Sequence, residues 1–140
     1  MKILLAVDGS KYTKRMLAYV AAHDEWLGAQ HRYTALTVVP ALPPRAAAAL
    51  AKKIVLDHYA EEAEKVFKPI RAFFAKQGIA AEFTYKIGEP GEQIAALSRK
   101  GGFDLMMMGS HGHGAFARLV LGSVASRVLA ECEVPLLIVR

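Results

Sequence analysis

Lys2-Ile3-Leu4-Leu5-Ala6-Val7 runs directly into Asp8-Gly9-Ser10, and how this stretch is read decides the fold. An apolar run this short, closed by turn residues, reads as a strand buried on both faces, the kind that parallel sheets contain. Ser10 is placed to cap a helix. From Lys11 to about Leu27 the apolar residues Met16, Leu17, Val20, Ala21 and Leu27 recur at helical spacing, and Gly28 ends the pattern. The segment from His31 to Val39, with Tyr33, Leu36, Thr37, Val38 and Val39, is a second strand that stops at Pro40.

Beyond the proline loop of Ala41 to Pro44, Arg45 to Gln77 reads as one long helix with an alanine-rich start, kinked or broken at Pro69 and terminated by Gly78. Ala80 to Ile87 alternates as a strand, and Gly88-Glu89-Pro90-Gly91 turns into a helix carrying Ile94, Ala95 and Leu97, closed by Gly101-Gly102. Phe103 to Met108 is apolar apart from Asp104. A glycine-rich loop follows it, then a helix with Val124, Val128 and Leu129, and Pro135 leads into a last strand, Leu136 to Val139. Strand and helix therefore alternate throughout, the pattern of an open α/β sheet with right-handed crossovers and helices on both faces.

The 140 residues are 54% hydrophobic and 22% charged, enough apolar material for one domain core and too much for disorder. The longest apolar runs fall far short of the roughly 20 residues of a membrane helix, so no membrane span is expected. Asp8 also cuts the first run before it reaches the length of a signal-peptide core. Cys132 is the sole cysteine, which excludes an internal disulfide or a cysteine-based zinc cage and fits a reducing, cytoplasmic setting. A net charge of +5 favours anionic ligands. Its carriers (Lys11, Lys14, Arg15; Lys52, Lys53; Lys65, Lys68, Arg71) fall on helix exteriors without interleaved aromatics, so no nucleic acid is expected as a partner.

Ligands of open α/β sheets sit beyond the carboxyl ends of the strands, where the winding reverses. The richest loop there is Gly109-Ser110-His111-Gly112-His113-Gly114, with Gly122-Ser123 near the opening of the next helix. Glycines let the backbone approach a phosphate, and unpaired N–H groups at a helix start favour negative charge. Ser110 and Ser123 add hydroxyls, and His111 and His113 stand on the same side. No Gly-Lys-Ser/Thr follows, so this is not a Walker A loop, and no Gly-x-Gly-x-x-Gly follows the first strand, so it is not a dinucleotide fingerprint. A flavin carrier fits poorly, because its phosphate loop belongs after the first strand, where only Asp8-Gly9-Ser10 stands. On the residues alone, the glycines serve equally well as a tight connection.

The spacing Gly109-x2-Gly112-x9-Gly122-Ser123 resembles the G-2x-G-9x-G-[S/T] nucleotide-binding motif of the universal stress protein family, in its ATP-binding branch. Val7-Asp8-Gly9-Ser10, Gly88-Glu89-Pro90, Phe103-Asp104-Leu105, Met108 to Gly112 and the closing Val134-Pro135-Leu136-Leu137-Ile138-Val139 are similar to that family as well, so the resemblance spans essentially the whole chain. It implies a Rossmann-like, flavodoxin-like single five-stranded sheet, mostly parallel, in the order 3-2-1-4-5. It also implies an ATP site: Asp8 near ribose and phosphates, Val38 lining the adenine pocket, Met108 and Gly109 on the base and ribose side, and Gly112, Gly122, Ser123 and Val124 holding the phosphates. Ser110, His111 and His113 lie on the phosphate side. His113 departs from the basic or small residue common after the second glycine, so a fixed positive charge is missing there and phosphate affinity is expected to be weaker or pH-sensitive.

His111 and His113 form a His-x-His pair, but with no nearby cysteine and only Asp8 as a third ligand no dedicated metal site is expected. Mg or Mn would enter on the triphosphate. Arg118 could reach a phosphate or an acidic partner, or stand as a solvated loop cation; Cys132 and Met106 to Met108 read as core, and His23, His31 and His58 carry no constellation. The glycine loops offer no lysine and no clear base for phosphoryl transfer. The expected function is thus an ATP-binding stress-response protein with at most slow hydrolysis. The alternative is a nucleotide-independent homodimer. In either case the apolar strand Val134 to Val139 would pair with its symmetry mate.

Overall fold

The structure, a computed structural model, describes residues 1–114 and 118–140. The described elements are β1 (Lys2–Ala6), α1 (Lys11–Ala22), α2 (Asp24–Leu27), β2 (Arg32–Val39), α3 (Pro44–Ala49), α4 (Lys52–Gln77), β3 (Ala81–Ile87), α5 (Pro90–Lys100), β4 (Leu105–Gly109), α6 (Ser123–Glu131) and β5 (Leu136–Val139). The strands form one parallel sheet in the order β3-β2-β1-β4-β5, as the resemblance implies.

Alternation along β1 divides the core. Ile3, Leu5 and Val7 point to one face and pack with Met16, Leu17 and Val20 of α1 and Ala63, Phe67, Ile70 and Phe74 of α4. Leu4 and Ala6 point to the other, where Ile94 of α5 and Ala125 and Val128 of α6 cover them. The period of two places every second side chain on the same side, so a continuously apolar strand serves two layers. The methionines of β4 divide likewise: Met107 joins the first cluster and Met106 and Met108 the second. Winding reverses between β1 and β4, and their carboxyl ends open side by side.

Two helix boundaries differ from the sequence expectation. The helix expected from Lys11 to Leu27 breaks at His23, whose backbone sits at φ −127° and ψ 46°. The His23 Nδ1–H donates to the Tyr19 carbonyl at 2.8 Å while the ring stacks on Tyr19, so a side chain takes the place of the next helical N–H. The short α2 ends at Gly28, where a Cβ would lie 2.4 Å from the Asp24 carbonyl oxygen and could not be housed. The helix expected from Arg45 to Gln77 breaks at Leu50 and Ala51, both extended, and not at Pro69, which lies inside an uninterrupted α4. No residue of α3 is buried, so alanine propensity forms that helix alone, whereas α4 turns away to lay Tyr59, Ala63, Phe67, Ile70 and Phe74 on the sheet. The fourth strand also begins at Leu105 instead of Phe103. Asp104 stays in register, its N–H donating to the Lys2 carbonyl at 2.8 Å, but the Lys2 N–H is taken by the Asp104 side chain, Oδ2, at 2.7 Å instead of by a backbone carbonyl.

No described helix is long and apolar enough to cross a membrane.

Candidate functional site

The residue after each parallel strand is forced into a turn at the sheet's carboxyl edge. At β1 that turn is built around Asp8. Its Oδ1 accepts the Ser10 N–H at 2.9 Å and the Thr13 hydroxyl at 2.9 Å, while the Asp8 N–H donates to the same Thr13 oxygen at 3.0 Å. Ser10 caps α1 by accepting from the Thr13 N–H, and Gly9 takes φ +78°, a conformation that glycine adopts without steric cost. One carboxylate oxygen is thus fixed by the cap. The other, Oδ2, faces Gly112, where a Cβ would stand only 2.7 Å from it.

At β4 the turn begins at Gly109. A Cβ there would lie 2.5 Å from Cβ of Tyr12, so the glycine permits the first turn of α1 to close on the strand end. The Ser110 N–H donates to the Val139 carbonyl at 2.8 Å, and the Gly122 N–H donates to the Ser110 carbonyl at 2.7 Å, which clamps the start of α6 to the end of β4. Ser110 is buried, and its hydroxyl donates to Nδ1 of His111 at 2.8 Å. Nε2–H of His111 donates to the Leu119 carbonyl at 2.7 Å, since a carbonyl can only accept. Nε2–H of His113 donates to the Asp8 carbonyl at 2.8 Å and ties the loop back across β1. Both nitrogens of His111 and one of His113 are therefore engaged in shaping the loop, and no group of three His, Cys, Asp or Glu among the described residues is arranged for a metal ion.

The helix α6 starts without a side-chain cap. Gly122 holds the cap position in extended conformation, and the next N–H groups, of Ser123, Val124 and Ala125, precede the first that can bond within the helix, Ser126 to Gly122 at 3.0 Å. These donors and the positive end of the helix dipole face a cavity of about 830 Å³. Its walls include Asp8, Val38, Met108, Gly109, His111, Gly112, His113, Gly122, Ser123 and Val124, so the structure brings all of these expected residues together. It does not bring Ser110 or Arg118 to the wall: Ser110 lies beneath the loop, and Arg118 is exposed outside it. Leu36, Ile94 and Ala125 supply an apolar lining beside Val38 and Met108.

A second wall comes from α4: Glu62, Lys65 and Val66. Both methyls of Val66 lie 3.9 Å from where a Cβ of Gly9 would be, which places this part of α4 against the turn that carries Asp8. Nζ of Lys65 donates to Oε1 of Glu62 at 2.8 Å. That hydrogen bond and the attached charge hold the Glu62 carboxyl below its ordinary range and raise the Lys65 ammonium above its own. The spacing 62, 65, 66 marks one helical face, which the sequence displays, but only the crossover from β2 to β3 reveals which cavity that face borders.

A family model described as "Universal stress protein family" matches residues 1–140. Among curated proteins, a universal stress protein of Thermus aquaticus is 35% identical over 146 residues, spanning 99% of this chain and 97% of its own, and universal stress protein Sll1388 of Synechocystis is 29% identical over 150 residues, spanning 99% and 97%. Solved structures share the fold. Universal stress protein UspA from Lactobacillus plantarum superposes with a TM-score of 0.79 at 22% identity, covering 100% of this chain and 97% of its own. A family protein from Arabidopsis thaliana with AMP bound gives 0.71 at 15% identity, covering 99% and 90%. The universal stress protein from Archaeoglobus fulgidus in complex with dAMP gives 0.69 at 17%, covering 100% and 98%. With a family model matched from end to end and near relatives matched over almost their full lengths, the chain belongs to the universal stress protein family.

Proposed function

We propose that this chain binds an adenine nucleotide, ATP with Mg or Mn, in the cavity between the ends of β1 and β4, and serves in the cytoplasm as a nucleotide-dependent stress-response protein. The observation that carries the reading is the uncapped start of α6 opening into a cavity of about 830 Å³, a size that suits a nucleotide, with an apolar lining on one side and, on the other, N–H donors that have no partner among the described residues. Gly112, Gly122, Ser123 and Val124 would hold the phosphates, Asp8 would stand near the ribose and phosphates, Val38 would line the adenine pocket, and Met108 and Gly109 would close the base and ribose side. Adenine nucleotides bound to the Arabidopsis and Archaeoglobus proteins, which share this fold, support the choice of ligand. The metal would supply charge neutralisation of the triphosphate. The bound nucleotide acts as signal or stabiliser, with hydrolysis slow at most: the sequence from Gly109 to Ser126 offers no lysine and no carboxylate for phosphoryl transfer, and Oδ1 of Asp8 is engaged by the α1 cap.

The test is to denature freshly purified protein, identify released nucleotide, and titrate the emptied chain with ATP and Mg by calorimetry. Gly122→Glu places bulk and negative charge at the start of α6 and is expected to abolish binding. Its Cβ would meet Ser110 O and His111 Cα at 3.2 Å, so circular dichroism must accompany the titration. Undiminished affinity in the folded variant would overturn the site.

A second reading is a homodimer that needs no nucleotide, favoured by one observation: β5 pairs only with β4 in the sheet order and leaves its outer edge open, with half-buried Leu136 to Val139 along it. The ATP titration of the emptied protein distinguishes the two, because a dimer suits both and this reading alone requires the absence of ATP binding; a monomer in sedimentation would overturn this reading.

A further inference from the structure

Among the described residues that line the cavity, the charged ones are Asp8, Glu62 and Lys65, so a polyanion entering it meets two carboxylates and a single fixed cation. That cation stands on α4 and lines the same cavity as the glycine loop and the start of α6. Its side chain is 72% exposed and that of Glu62 40%, so neither is locked by packing. An exposed ion pair contributes little net free energy, and a lysine stem swings freely, so exchanging Glu62 for a more highly charged acceptor costs little. Phosphate oxygens are such acceptors. The pair's place beside the Asp8 turn is fixed independently by Val66, which seats this face of α4 against Gly9.

We propose that Lys65 is the phosphate-reading residue of the cavity, released from Glu62 when a polyphosphate enters, and that the Glu62–Lys65 pair thereby sets a preference for nucleoside triphosphate over monophosphate and nucleoside. The inference rests on the nucleotide reading above and deepens it. Glu62 acts as a gatekeeper: it holds the lysine while the cavity is empty and repels an anion that fails to displace it.

The experiment compares ATP, AMP and adenosine by calorimetry on the whole chain and on Lys65→Gln, Lys65→Arg and Glu62→Gln, at low and at physiological salt. Lys65→Gln is expected to lose about tenfold in ATP affinity, the weight of one charge-assisted hydrogen bond at a solvated site, while adenosine changes less than about twofold. Lys65→Arg keeps the preference for ATP. Glu62→Gln tightens ATP by a few fold and leaves adenosine alone, and both gains and losses shrink as salt rises. Equal losses for all three ligands in Lys65→Gln, or no loss for ATP, overturn the assignment of Lys65 and leave the nucleotide site standing. A wild-type chain that binds none of the three overturns both.

Discussion

The two walls of the cavity are built in opposite ways. The loop wall, at the described residues Gly109, Gly112, Gly122, Ser123 and Val124, is made largely of backbone: glycines where a Cβ would collide with Tyr12, Asp8 or the loop itself, and N–H groups at the start of α6 that have no partner among the described residues. The helix wall, Glu62 to Val66, is made of side chains on an element anchored elsewhere, by Phe67, Ile70 and Phe74 on the sheet. A wall of backbone tolerates almost no substitution and is written as a spacing motif. A wall of side chains can vary in chemistry while its helix stays in place, so affinity belongs to the first wall and discrimination to the second.

The comparison breaks most severely if the helix wall is detached. Phe67 is buried next to Val66 and meets the Phe83 ring edge to face at 5.3 Å, so Phe67→Ala is expected to cost about 3–5 kcal/mol in urea unfolding. A loss below about 1 kcal/mol would mean that α4 is not held as described. Gly109→Ala probes the loop wall. Its Cβ would need about an ångström of retreat from Tyr12 of α1, and the expected cost is about 1–3 kcal/mol, read as a lower Tm in the absence of ligand. If the Tm is unchanged, the glycine serves the ligand and not the packing.

The smallest effect sharpens the contrast from outside both walls. Glu89 caps α5, accepting the Glu92 and Gly91 N–H groups, and those bonds, with Arg127 nearby, hold its carboxyl below the ordinary range. A depressed folded-state value contributes stability above the unfolded value of about 4.3, and that contribution is lost as pH falls through the folded value. Acid titration of stability should therefore be shallower in Glu89→Gln between those two values. ATP affinity at neutral pH should be the same in both proteins, because Glu89 is not among the described residues that line the cavity.

Most of the sheet was legible because its signal is local. The apolar run Lys2 to Val7 and the bounded run Leu136 to Val139 coincide with β1 and β5 to within a residue. The order 3-2-1-4-5 is carried by the family resemblance. Where expectation failed, a particular interaction outweighed propensity. At His23 a ring nitrogen serves a helical carbonyl, and at Leu50 the chain leaves an unburied alanine helix to lay the apolar face of α4 on the core. The loop wall was named residue by residue through the family resemblance that the glycine spacing carries, since on the residues alone the glycines serve equally well as a tight connection. Ser110 was the exception, because the inward turn of its hydroxyl toward His111 depends on a side-chain partner that no spacing specifies. The helix wall was invisible, since Lys65 reads as one more cation on a solvated face until the crossover places it on the cavity wall.

Pro69 gives α4 a discontinuity of another kind. Proline has no N–H, so the carbonyl four residues earlier, that of Lys65, receives no helical bond, although the helix continues through it. Upstream of that missing rung lie Glu62 and the exposed Ile54 and Leu56, with Tyr59 and Ala63 as the buried anchors; Phe67 stands within the rung, and Ile70 and Phe74 anchor the stretch beyond it. The two halves of one helix are thus expected to keep different clocks in amide hydrogen exchange. The half over the cavity would open on its own and exchange early, while the half below would exchange only when the sheet itself comes apart.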